Sequence, residues 1–245
     1  MVHEIVIEPP PDRRARTRAR RLDEITSAAL ELLRDEGLEG LTTHALARRL
    51  DLAVGALYRY FPSKTSLLAA VERRALNELG AHLQRSLDAC EGAFRGDRVA
   101  LTRLVLAGRA YARFARERRT EAGLIGQMLA DPRTLVPGDE GAALVSTTMS
   151  LLGAVAALFS AAVDEATLPA GDAMDRAVLF WSGLRGVLEL SKLRAHAPGF
   201  DAAPLADAMM CALLVGFGAE ADAVRRALSA VQRFEGKGRA KESGE

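Results

Sequence analysis

Apolar positions recur at three- and four-residue steps along almost the whole chain, the period of helices buried on one face. Leu22, Ile25, Ala29 and Leu32 make the first such stripe, and Gly37 follows where a left-handed cap would end a helix. Thr42-Thr43 precede the stretch HALARRL, where a threonine predicts an N-cap, Leu46 and Leu50 point inward, and Ala47 permits a close helix crossing. A turn at Asp51 leads into a second short helix from about Val54 to Tyr60, anchored by Leu57. Pro62 stops it, and Ser63 caps a long helix over about 64–89 that carries Leu67, Leu68, Val71, Ala75 and Leu79. Alternating β-branched runs bounded by turns do not occur, so the predicted fold class is all-α, with a three-helix N-terminal domain and a larger helical domain after it.

Two segments depart from one-sided periodicity. Residues 141–163 carry no charge over a length that could span a bilayer. Ser146, Thr147, Thr148, Ser150, Ser160 and many alanines weaken their transfer into lipid, so a buried helix of an all-helical domain is expected, and no membrane partner. Residues 208–218, AMMCALLVGFG, are apolar on all sides and need cover on both faces. With the stripe Met174, Ala177, Val178, Trp181, Leu184 and Leu188, they supply a surface for a homodimer interface over 171–193 and 203–218.

Composition adds little at the level of the whole chain: 245 residues, 49% hydrophobic, net charge +1. The charge bias is local. Six arginines and no acid lie between Arg13 and Arg21, which fits either a solvated basic leader or an arm touching phosphates. Residues 1–18 are thus expected as a flexible basic leader, 19–79 as the first domain, 80–235 as the second and 236–245 as a disordered polar tail. Cys90 and Cys211 are far apart and read as free thiols of a reducing compartment, and the N-terminus lacks a signal-peptide layout, so a cytoplasmic location is expected. Catalysis finds no footing. GxSxG is missing, and SKT at 63–65 has Tyr58 and Ser63 where a phosphate loop needs glycines. His3, His44, His82 and His196 have no ligand partner at helical spacing. Neither catalytic residue, metal nor cofactor is expected.

The stretch GALYRYFPSKTSLL, residues 55–68, concentrates three aromatics in four positions of a chain that is only 5% aromatic. Two short helices and a turn behind a longer helix, about 42–61, read as a helix-turn-helix. Its second helix would give Leu57 to the core and Gly55, Ala56, Tyr58, Arg59 and Tyr60 to a partner; phenols and a guanidinium suit DNA phosphates and base edges. Lys64, in the first turn of the next helix, adds a phosphate contact.

The segment LTTHALARRLDLAVGALYRYFPSKTSLLAAV, residues 41–71, resembles the TetR family of bacterial transcriptional repressors. That resemblance implies that Thr43, Tyr58, Tyr60 and Lys64 hold phosphates and that His44, Val54, Gly55 and Ala56 face bases of a palindromic double-stranded operator. Asp51 stands where the family usually has glycine, and Ala53 where a capping hydroxyl is common. The second domain is similar to the regulatory and dimerisation domains of one branch of the family. Trp181 and Gly186 match that branch's Trp-His-Gly pattern, with Arg185 in place of the histidine. Tyr111, Phe114, Met128, Met149, Phe159, Trp181 and Arg185 are the candidate contacts for a largely apolar small-molecule effector. The expected function is DNA-binding repression relieved by that effector. The alternative, a helical protein-interaction module without DNA, would leave the 55–64 cluster without use.

Overall fold

The structure is a computed structural model describing residues 13–94, 96, 98–130, 139–190 and 201–242, without the side chains of 128–130, 139–140 and 238–242. Among these residues there are ten helices and no strand: α1 (Arg13–Gly40), α2 (Thr43–Arg49), α3 (Val54–Tyr58), α4 (Lys64–Ala89), α5 (Val99–Glu117), α6 (Arg119–Ala130), α7 (Asp139–Asp164), α8 (Ala173–Glu189), α9 (Ala202–Gly216) and α10 (Ala221–Glu242). The fold is all-α. It divides into two compact units, one ending at Arg74 and the other starting at Ala75, so α4 begins in the first and ends in the second.

The first unit is built on the predicted stripe of α1. Ile25 and Ala29 are fully buried and Leu32 nearly so, with Leu41, Leu46, Ala47, Leu57, Phe61, Leu67 and Val71 completing the core. Each large side chain removed from water in this way contributes about 1.5–3 kcal/mol. Arg49, in the last turn of α2, reaches Glu31 (3.2 Å) and Asp35 (3.1 Å) of α1, exposed pairs of small energetic weight. Gly37 has φ 71° and ψ −171°, a region essentially reserved for glycine rather than the expected left-handed helical cap. It breaks α1 and turns the chain toward Leu41.

Two sequence expectations change at the chain ends. Arg13 to Arg18, read as flexible leader, are helical, and α10 continues through 236–242, read as disordered tail. Both stretches extend a helix already nucleated by packed residues, and adding a residue to such a helix is far easier than starting one. Residues 1–12 and 243–245 of those two expectations lie outside the described residues.

In the second unit α5 packs against α7, α8 and α10, and α8 against α7 and α9. Leu101, Leu104, Val105, Ala110 and Phe114 of α5 are buried. A largely covered ion network ties α5 to two neighbours: Arg109 donates to Asp207 of α9 (2.6 Å) and Glu235 of α10 (2.9 Å). α7 departs from the expectation of a buried helix. Leu144, Leu158, Phe159 and Ala162 point inward, while Ala142, Ser146, Ser150, Ala154 and Ala157 are exposed. Only 22% of its apolar window is buried; by length and composition it is the one helix among the described residues that could cross a membrane. Most of its outer positions are small, so leaving them exposed costs little apolar area, but Val145 and Met149 are also about half exposed.

Candidate nucleic-acid interface and effector cavity

The helix-turn-helix is set by caps and one turn. Thr42 is the N-cap of α2, its hydroxyl accepting the Ala45 N–H (3.1 Å). Thr43 is therefore the first residue inside the helix, with its hydroxyl outside the cap, and exposed His44 follows it. Asp51 adopts φ 52°, the left-handed conformation that the turn demands and that Asp tolerates better than most residues. The Leu52 N–H then closes back on the Ala47 carbonyl (2.9 Å). Ala53 caps α3 without any side-chain bond, so α3 is held by its anchors.

Those anchors explain the aromatic cluster. Leu57 and Phe61 are buried, which turns the intervening and preceding positions outward. Gly55 is exposed, Val54 and Ala56 are half-buried at the same surface, and Tyr58 is 49% exposed. At the start of α4, the Ser66 N–H donates to the Ser63 hydroxyl (3.0 Å) and the Ser63 N–H to the Ser66 hydroxyl (3.2 Å), a reciprocal cap. Lys64 occupies the first position of that helix and is exposed. Tyr60 is half-buried, with the Arg18 guanidinium 5.5 Å from its ring centroid. The sequence showed Arg18 only as one arginine in a basic run.

In the second unit a partly open apolar cavity of about 40 Å³ lies among α4, α5, α7 and α8, next to a wider groove of about 500 Å³ between α4 and α7. Leu76, Leu83, Ala107, Leu151 and Val155 line both. Of the predicted contacts, Tyr111 and Trp181 line the cavity. Burial pushes the Tyr111 phenol up to about 12, opposed by the charge of Arg185 and by the neighbouring Trp181 indole.

The other predicted contacts lie elsewhere. Arg185 stacks over Trp181 (5.8 Å) but spends its guanidinium on the Gly126 carbonyl (2.6 Å) and Glu189 (2.7 Å). Phe114 packs on His82 (5.7 Å), whose imidazole is held below its usual range by burial and then by the Arg113 charge. Phe159 is fully buried between the rings of Phe180 and Phe217, each at 5.7 Å. Met149 is 47% exposed on the outer side of α7, and the Met128 side chain lies outside the described residues. The leucines of α4 and Ile125 that line the cavity carry no sequence signal separating them from ordinary core.

The family model for bacterial regulatory proteins of the tetR family matches residues 25–71. The tetracycline repressor protein class C of Escherichia coli is 34% identical over 137 residues, 54% of this chain and 63% of that protein. The transcriptional repressor KstR of Mycolicibacterium smegmatis is 40% identical over 62 residues, 25% of this chain and 30% of its own length. The chain thus spans less than two thirds of the curated relatives it matches first. Among solved structures, RolR in complex with resorcinol superposes with a TM-score of 0.64 at 18% identity, over 88% of this chain and 96% of that one, a likeness of fold. Residues 25–71 thus match the helix-turn-helix of the tetR family of bacterial regulatory proteins, and the chain as a whole shares its architecture with RolR.

Proposed function

We propose that the protein is a DNA-binding transcriptional repressor that grips a palindromic operator as a homodimer and is released by a small, largely apolar ligand. One observation carries the DNA-binding part: Thr43, His44, Tyr58 and Lys64 are solvent-accessible on the two helices of the helix-turn-helix and the start of the next, and none spends its side chain on a cap. Thr43, Tyr58, Tyr60 and Lys64 are the phosphate contacts; His44, Val54, Gly55 and Ala56 are the base-facing set, with methyls from Val54 and Ala56 suited to thymine.

Dimerisation is supported by apolar surface that the single chain leaves uncovered. Val178 and Leu179 on α8 and Leu205 and Val215 on α9 are exposed, while Ala206, Met210 and Leu214 turn inward at four-residue steps. Two recognition helices about 34 Å apart would then meet one face of the duplex.

Effector binding is supported by the apolar cavity at Tyr111 and Trp181. At about 40 Å³ it is too small for a ring compound, so a ligand must enlarge it, with the α4–α7 groove as the space to draw on. RolR, of similar fold, is bound to a small phenol, resorcinol, in its structure. Because α4 carries Lys64 at one end and cavity residues Leu76, Leu79 and Leu83 further along, ligand and DNA would compete through that helix.

The experiment is selection of duplexes from a random-sequence pool by the full-length protein. Enrichment of an inverted repeat with half-sites about ten base pairs apart is expected. A pool that stays random after several rounds contradicts the proposal.

A further inference from the structure

We infer that the first two turns of α1 form a second phosphate-binding strip, in which Arg14 and Arg18 hold the DNA backbone beside the base pairs met by α3. This rests on the DNA-binding function proposed above and extends the surface beyond the helix-turn-helix.

The arginines of this region fall on two lines of the helix. Arg14, Arg18 and Arg21 follow one line at four- and three-residue steps, and Arg13, Arg16 and Arg20 follow the neighbouring one. Arg18 lies over the ring of Tyr60, so its line is the one turned toward the Tyr58–Lys64 surface. Arg14 stands one turn beyond it, about 6 Å further along the axis. The new surface is therefore continuous with the phosphate contacts already assigned to Tyr60 and Lys64.

Charge points the same way. Arg20 and Arg21 pair with Glu24 at 3.4 and 2.7 Å, whereas no carboxylate among the described residues pairs with Arg13, Arg14, Arg16 or Arg18. All four are exposed, and the first turn of α1 contains no acid. Like charges one turn apart repel, and cations at a helix N-terminus oppose the helix dipole, so the arrangement works against the helix that bears it. A polyanion running past this end removes both penalties. Duplex DNA presents such a row of charges in continuity with the recognition surface.

The test measures affinity against salt concentration for the duplex selected by the wild-type protein and for a scrambled duplex. The variants are Arg14→Ala, Arg18→Ala, the double variant, and Arg14→Lys with Arg18→Lys. Each lost phosphate contact lowers the slope of log affinity against log salt by roughly 0.9, so the double variant should lose roughly 2 per protomer. At moderate salt it should bind both duplexes roughly tenfold or more weakly, and the lysine pair should restore most of the slope. Unchanged melting temperature checks that the exposed substitutions leave the fold intact. A double variant with the wild-type slope overturns the strip while leaving the proposed function standing. So does a loss confined to Arg18→Ala that lysine does not rescue, because Arg18 would then serve only to hold Tyr60. A wild-type protein that binds neither duplex removes the DNA-binding function and the strip with it.

Discussion

Gly108 of α5 faces Met210 of α9 so closely that a Cβ on the glycine would fall well inside van der Waals contact with the methionine sulfur. The same Cβ would stand 3.0 Å from Cζ of Phe180 and 3.2 Å from Cδ1 of Leu184, both on α8. This glycine therefore sets how near three helices approach beside the cavity it also lines. Gly108→Ala should cost about 1–3 kcal/mol of stability through overpacking, read as a lower urea midpoint at unchanged m. Met210 is 1% exposed, so it must repack inside the core; adding Met210→Ala should recover part of the loss. Full stability of the single variant would show that α5 and α9 are further apart than the structure has them.

Arg109 stands between two carboxylates, Asp207 and Glu235, with little exposure at any of the three side chains. Removing only the cation leaves two acids in a poorly solvated place. Arg109→Leu should destabilise the second unit by about 3–5 kcal/mol, whereas replacing all three by apolar residues of similar volume should cost far less. Chemical denaturation of the single and triple variants checks this.

Glu72 of α4 is 2% exposed, and burial raises its carboxyl to about 7, well above the usual carboxylate range. The folded chain therefore binds a proton more tightly than the unfolded one. Stability from this group is full below about pH 4.5, declines as pH rises toward about 7, and then levels off. Glu72→Gln should flatten that limb and make the protein more stable at pH 8 by about 1–3 kcal/mol, with little gain at pH 4.5. Melting temperatures across pH give the answer; a variant less stable at pH 8 would mean that the carboxylate is charged and partnered.

The helix-turn-helix unit was largely legible before its structure, because caps, turn and anchors are local. Pro62, Ser63 and the leucines at 46 and 57 each have one physical use at their spacing, and the turn at Asp51 could be placed from the sequence. The apolar cavity was legible only in character. Aromatic and methionine residues stand out in a leucine-rich sequence, yet whether a side chain meets a void depends on which neighbours fail to fill it. Phe159 fills its own space between two rings, and Met149 sits on the outer side of α7. Leu76 and Leu83, which do line the cavity, look like any other helix residue. The Arg18–Tyr60 stack spans two elements far apart in sequence, and no periodicity encodes such a meeting.

Association should depend on the uncovered faces of α8 and α9. Leu179 is 54% exposed in the single chain, so Leu179→Arg disturbs its core little and would bury an unpaired charge only on dimerisation. Sedimentation should find a dimer for the wild type at micromolar concentration and a folded monomer for the variant. A wild-type monomer would overturn the dimer.

The most direct measurement of the central claim is the affinity of Lys64→Ala and His44→Ala for the selected duplex and a scrambled one, over a range of salt. Lys64→Ala should weaken both duplexes alike and lower the salt slope by roughly 0.9 per protomer, as a phosphate contact does. His44→Ala should weaken the selected duplex alone, by about 1–3 kcal/mol for a base contact, and leave the slope unchanged. Wild-type affinity and slope in both variants would contradict a DNA interface on this helix-turn-helix.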